Sequence, residues 1–308
     1  MGRDQTQGQG QVQGQGQVQG QVQGQGAMRV AIVVPVRNEA GIVPALAARL
    51  QPLRAAGAVV LLVDGESGDD TVAQAAAAGL PVWRAPAGRA RQMNAGAGRI
   101  RDAAGQSDGA ARVDDEARQS DGARVGGAAR VGTATHSSSL ARRGGASAAA
   151  RQSDGAAEVL LFLHADTVLP PDALAQIAAA LATGSCWGRF DVRLSGERPL
   201  FRLVETLMNL RSRLTGIATG DQAIFVRRDL FEAVGGFPDI ALMEDIALSA
   251  ALRRRAWPAC LRPPVVTSSR RWEAAGAWRT IVIMWALRLA FFFGAAPARL
   301  KASYDRLR

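Results

Sequence analysis

The sequence predicts an α/β domain built on a doubly wound, mostly parallel sheet. Three observations carry that prediction. All-apolar runs such as Val59-Val60-Leu61-Leu62-Val63 and Val159-Leu160-Leu161-Phe162-Leu163 are bounded by turn residues, the pattern of strands buried on both faces. Helix-like segments alternate with the runs, as crossover-connected parallel strands require. Two runs exit into acidic patches, Asp64-Gly65-Glu66-Ser67-Gly68-Asp69-Asp70-Thr71 and His164-Ala165-Asp166-Thr167. Ligands of such sheets bind beyond the carboxyl ends of the strands. Carboxylates gathered there need a cation, and oxygen donors favour Mg2+ or Mn2+ shared with substrate phosphates.

Taken in order, Val30–Val36 is the first strand, Arg37-Asn38-Glu39-Ala40 its exit loop, and Val43–Ala56 a helix with Leu46, Leu50 and Leu53 on one face. The second strand ends at Asp64, and Asp70-Thr71 opens a helix over 72–78, with Asp70 either an N-cap or a ligand-facing acid. A short strand at Pro81–Arg84 precedes Gly88-Arg89-Ala90-Arg91-Gln92-Met93-Asn94, which leads into a helix through Arg101. The fourth strand reaches Asp166 and is followed by a helix from Pro171 to Ala182. Trp187–Leu194 alternates like a half-exposed strand, Leu200–Leu214 is an amphipathic helix, Asp221–Val226 a strand and Met243–Arg255 a helix.

Two segments read as outside the fold. Residues 1–27 repeat Gln-Gly and Gln-Val with almost no apolar side chains, too few to offset ordering entropy, and they lack the pattern of a secretory signal. Met28 is a plausible start. Residues 102–156 repeat Gln-Ser-Asp-Gly-Ala without an aromatic residue or a stackable apolar face, which predicts a disordered insert. Roughly 225 residues remain for one sizeable core. The net charge of +10 lies almost wholly after Gly184, yet no basic stripe interleaved with aromatics suggests nucleic acid. Cys186 and Cys260 lack metal spacing and read as buried free thiols of a reducing compartment.

The motifs Val-Pro-Val-Arg-Asn-Glu (34–39), Val-Asp-Gly-Glu-Ser-Gly-Asp-Asp-Thr (63–71), His-Ala-Asp-Thr (164–167), Gly-Asp-Gln (220–222), Gly-Gly-Phe-Pro (235–238) and Met-Glu-Asp (243–245) follow in that order. Together they resemble a family-2 glycosyltransferase of the GT-A fold. With Gly-Arg-Ala-Arg-Gln-Met-Asn (88–94), the chain is most similar to a bacterial branch described as arsenosugar-biosynthesis or radical-SAM-associated transferases. The resemblance implies a nucleotide-binding half at 28–101 and a metal-site and acceptor half at 157–276. It also implies a nucleotide-diphosphate sugar donor and a small-molecule or lipid-linked hydroxyl acceptor.

The resemblance places Glu39 near the base or ribose and Asp64 at the edge of the base, with Pro35 and Ala165 completing the donor contacts. Arg89 and Asn94, entering a helix, suit phosphate. Asp166 stands where the last acid of an Asp-x-Asp motif holds the metal. His164 replaces the first acid, either as a softer ligand or as a hydrogen-bond donor to ribose. Asp245 is the expected general base, with Glu244 able to exchange roles with it. Gly220, Asp221 and Gln222 are expected on the acceptor side. Arg271-Trp272 resembles the Arg-Trp of processive synthases, although Ser268 replaces their Gln.

The C-terminal stretch 277–308 reads as an apolar and basic helix, too short and too interrupted by Arg279 and Arg288 to span a bilayer. It suits either the protein's own core or a membrane surface, so a cytoplasmic location with peripheral contact at the inner face of the plasma membrane is expected. Two other readings stand beside the transferase. A sugar-phosphate nucleotidyltransferase would need a Gly-rich signature after the first strand, and Val36-Arg37-Asn38-Glu39-Ala40 is not one. A degenerate sugar-nucleotide-binding module would bind without turnover, as the His164 substitution suggests.

Overall fold

The computed structural model describes residues 28–104, 159–270, 273 and 276–307. The leader, most of the expected insert, Arg271 and Trp272 lie outside the described residues. Eight strands form one sheet in the order β3-β2-β1-β4-β7-β6-β8-β5. They are β1 (Val30–Val36), β2 (Val59–Asp64), β3 (Val82–Arg84), β4 (Val159–Phe162), β5 (Thr167–Val168), β6 (Trp187–Leu194), β7 (Phe225–Arg227) and β8 (Ala259–Thr267). β3, β2, β1 and β4 pair in parallel, whereas β7 is antiparallel to β4 and β6, and β5 is antiparallel to β8. The sheet is mostly parallel, as expected.

Alternate residues of β1 serve two separate cores, which is what burial on both faces of a sheet means. Ile32, Val34 and Val36 pack with Val43, Leu46 and Leu50 of α1 (Val43–Ala55) and with Ile177 of α4 (Ala173–Ala182). Ala31 and Val33 face the opposite layer. There they meet Met93, Ala97 and Ile100 of α3 (Arg89–Ala104) and Leu248 and Leu252 of α7 (Glu244–Arg253). Gly96 lets α3 lie against β1 and β2, because a Cβ there would come 2.5 Å from the Val33 side chain. α2 (Thr71–Ala77), α5 (Pro199–Thr215) and α6 (Arg228–Ala233) complete the wrapping.

The structure corrects several expectations. β6 is buried nearly along its length rather than half exposed, because Arg189 sits fully buried in an ion pair with Asp191, to which Arg213 also reaches at 2.5 Å. Only the end of the expected 221–226 strand is β7; Gly220–Gln222 instead forms a 3₁₀ turn. β8 had no strand signal, since Pro263-Pro264 interrupts it. The irregularity is absorbed where the register jumps between Phe190 and Asp191. Cys186 and Cys260 are free thiols but only half buried. The C-terminal stretch is two helices, α8 (Ala277–Phe292) and α9 (Pro297–Leu307), divided near Gly294 with φ 85°. No helix of the described residues is long and apolar enough to cross a membrane.

Candidate active site

The exit loops of β1 and β2 are stitched to each other. Asn38, in a left-handed conformation, donates its backbone N–H to Ser67 Oγ at 2.9 Å and accepts the Gly68 N–H at 2.8 Å. Thr71 Oγ1 accepts the Glu39 N–H at 2.8 Å. Asp70 stands at the N-cap of α2 without a side-chain cap bond, and the preceding Asp69 makes the bonds instead. Its carboxylate takes the Thr71 and Ala40 N–H groups at 3.0 and 3.1 Å, and with the Thr71 hydroxyl these bonds hold its pKa below the ordinary value. Beneath the loops, buried Gln92 donates from Nε2 to the carbonyls of Val36 (2.9 Å) and Val63 (2.7 Å), tying α3 to the ends of both strands.

The His164-Ala165-Asp166 turn is held from two sides. Arg49 of α1 reaches Ala165 O at 3.0 Å. The turn continues into β5, whose Thr167 bonds Thr267 of β8 through their hydroxyls at 3.2 Å. Burial lowers the Arg49 pKa; nearby Asp166 counters this and Arg270 reinforces it. Asp166 thus lies near the Arg49 guanidinium, half buried just past the carboxyl end of β4.

Asp245 occupies the first turn of α7. One oxygen accepts the Gly220 N–H and the other the Ile246 N–H, both at 2.7 Å. Gly220 lies between the halves: a Cβ there would be 2.6 Å from His164 Nε2 and 3.7 Å from Asp245 Oδ2. Its turn is fixed by a reciprocal cap in which Thr219 N donates to Gln222 Oε1 at 3.1 Å. Glu244 is almost fully buried, and its pKa is pushed up to about 7 by burial, then by the Asp245 charge, with Arg89 opposing. Burial also raises Asp221, against the Thr219 hydroxyl and the charges of Arg288 and Arg211.

These groups line one cavity of about 1040 Å³. It gathers Pro35, Glu39, Arg89, His164, Ala165, Asp166, Gly220, Asp221, Glu244 and Asp245 in one lining. Three expected contacts are not in its wall. Asp64 is 2% exposed, with its carboxylate bonded to the Ser67 hydroxyl and N–H. Asn94 spends its side-chain amide on the Phe237 backbone, at 2.7 and 2.9 Å, bracing the 235–238 loop. Gln222 is fully buried in its cap. Each positions the cleft from behind. Arg91 is paired with exposed Asp239 at 2.9 Å.

Sequence reasoning missed Arg49, the role of Gln92, and Arg211 of α5. Arg211 falls four residues after Leu207 on an apolar stripe, a polar interruption that marks such positions. Its pKa is lowered to about 10 by burial and by Arg288 of α8.

No cluster of three or more His, Cys, Asp or Glu side chains suited to a metal occurs among the described residues. One carboxylate, Asp166, with the His164 imidazole beside it, fits a divalent ion that completes its shell with substrate phosphates and water. It does not fit an ion caged by protein alone.

No protein-family model matches the chain, and no curated protein does. Solved structures do. A mannosyltransferase, PcManGT from Pyrobaculum calidifontis in complex with GDP-Man and Mn2+, is similar at 18% identity over 91% of this chain and 69% of that one, with a TM-score of 0.52. TarS of S. aureus follows at 14% identity, over 83% of this chain and 39% of its own, with a TM-score of 0.49. Glucosyl-3-phosphoglycerate synthase from Mycobacterium tuberculosis has 13% identity, coverage of 77% and 71%, and a TM-score of 0.44. At 18% identity the first likeness is one of fold. The mixed sheet, with its cleft beyond the carboxyl ends of β1 and β4, has the GT-A architecture that the motif series implied.

Proposed function

We propose that the chain is an inverting, family-2-type glycosyltransferase that moves a sugar from a nucleotide-diphosphate donor to a hydroxyl acceptor. The observation that carries this reading is the presence of Asp166 and Asp245 in the lining of one cavity, with Gly220 between His164 and Asp245. The donor diphosphate sits on the Asp166 side, where Arg49 and Arg270 add positive charge. Pro35, Glu39, Ala165 and Arg89 line the same cavity, and in this reading they contact the donor within the half formed by residues 28–101. Mg2+ or Mn2+ bound by Asp166 and His164, together with the diphosphate, would offset the charge of the leaving group. Asp245 faces the acceptor: its carboxylate takes the hydroxyl proton as that oxygen bonds to C1 of the sugar. The bond from C1 to the diphosphate breaks, and the nucleoside diphosphate leaves with the electron pair. The amides of Gly220 and Ile246 fix the orientation of the base.

Membership of the radical-SAM-associated branch, and a cytoplasmic site with the C-terminal helices at the inner membrane face, belong to the same reading. The mannosyltransferase bound to GDP-Man and Mn2+ supports the donor and metal class. Thermal shift against UDP, GDP and their sugars, with and without Mn2+, tests it. A Mn2+-dependent rise with one nucleotide, lost in Asp166→Ala, is expected. Indifference to every nucleotide, or a rise that ignores both metal and substitution, refutes it.

A further inference from the structure

At the acceptor end of the cleft lie two guanidinium groups with hydrogen-bond donors that nothing satisfies among the described residues. Arg211 of α5 and Arg288 of α8 both line the cavity, and the nearby Arg288 charge helps lower the Arg211 pKa after burial. Arg211 Nε and Nη2 and Arg288 Nε are buried and find no hydrogen-bond partner among the described residues. Neither arginine makes a salt bridge among the described residues. Buried donors in this state are costly, and charged ones more so, unless a ligand satisfies them. Asp221 and Asp245 are near enough to offset part of this charge, yet they form no salt bridge with either arginine: Asp245 accepts two amides and Asp221 is bonded to the Thr219 hydroxyl at 2.5 Å.

The walls beside these arginines are apolar and open. Leu203 and Leu207 of α5 are 51% and 46% exposed, and Trp278 and Trp285 of α8 are 66% and 57% exposed, yet all four line the same cavity. They stand at helical spacing on facing elements. The other face of α8 is used: Ile283 and Leu287 pack on Met243 and Leu300. Thus α8 is docked on the domain while its tryptophans stay uncovered. Exposed large apolar side chains leading to a half-buried pair of arginines with unsatisfied buried donors match an amphiphile, with head and tail each complementary to one end.

We infer that the acceptor is a phosphate-headed amphiphile whose head is held by Arg211 and Arg288 and whose apolar chain lies between Leu203, Leu207, Trp278 and Trp285. The acceptor role rests on the transferase reading. The binding site rests on the side chains alone. The head would anchor the molecule so that its hydroxyl reaches Asp245.

Titration of the full chain with decyl phosphate, decanol and inorganic phosphate tests this, below micelle-forming concentration and read by calorimetry and tryptophan fluorescence. Decyl phosphate should bind at least about tenfold more tightly than either of the others. Arg288→Gln should cut its affinity at least about tenfold, while leaving decanol binding unchanged. Leu203→Gln, at an exposed position that tolerates polarity, should weaken decyl phosphate but not inorganic phosphate. Equal binding of inorganic phosphate would reduce the site to a free-anion pocket and overturn the inference. Equal binding of decanol, or indifference to Arg288→Gln, overturns it as well. Sedimentation with anionic vesicles in the absence of decyl phosphate binding would mark a membrane-contact surface and likewise overturn it. UDP and GDP with Mn2+, titrated into the same protein, separate the two readings. Nucleotide binding without decyl phosphate binding sinks only the amphiphile, and the reverse sinks the transferase.

Discussion

Replacing Asp245 by Asn tests the chemistry with little change in shape. Both carboxylate oxygens accept backbone N–H groups at 2.7 Å, from Gly220 and Ile246. Asn offers one oxygen and one NH2, so one of those amides loses its acceptor. Leaving one such group unmet costs about 1–2 kcal/mol, which for a domain of this size lowers Tm by about 2–8 °C. The effect on rate is larger. Losing a general base costs about 10²–10⁴-fold, equivalent to about 2.7–5.4 kcal/mol of transition-state stabilisation. Donor affinity should hold, because the hydrogen bonds of Asp245 go to Gly220 and Ile246 and not to the proposed donor anchors Asp166, Arg49 and Arg270. The assay is nucleoside diphosphate release at saturating donor, alongside calorimetric binding of the nucleotide and a melting curve. A folded variant with near-normal turnover would remove Asp245 from the mechanism. A loss explained wholly by weaker nucleotide binding would move it to the donor side.

Three further predictions follow from the geometry. Glu244 has a folded pKa of about 7 against an ordinary 4.5, so the folded state holds a proton that the unfolded chain has released. Its contribution to stability is full below about pH 4.5, falls as pH rises to about 7, and is level above that. Glu244→Gln should flatten this fall; urea midpoints at about pH 5 and about pH 8 that drop equally in both proteins would refute it. Gly220→Ala would place a methyl group 2.6 Å from His164 Nε2, so the ring or the Gly220 amide must move. Turnover and Mn2+-dependent nucleotide affinity should both fall, and wild-type values in the folded variant would show that this approach does not matter. Gln92→Leu removes the donor to Val36 O and Val63 O, and should destabilise by about 1–3 kcal/mol in denaturant unfolding; a change within error would mean these carbonyls find other donors.

The parallel half of the sheet was legible because each strand there is an uninterrupted apolar run, which a strand buried on both faces requires. The acids at the strand exits were legible for a related reason: chain order alone puts Asp166 just past β4, and Asp245 at the start of α7. What the residues could not disclose was which side chains face the cleft. Asp64, Asn94 and Gln222 sit in the expected motifs, yet each is consumed by Ser67, Phe237 or Thr219. A motif records residue identity, whereas orientation follows from competing hydrogen bonds, three positions away for Asp64 and Gln222 and 143 away for Asn94. β8 was hidden because Pro263-Pro264 suppresses the local strand signal while β6 imposes the pairing from outside. Arg211 and Arg288 are 77 positions apart and read separately as interruptions of apolar helices. Only the packing of α5 and α8 around one cavity brings their charges together at the base.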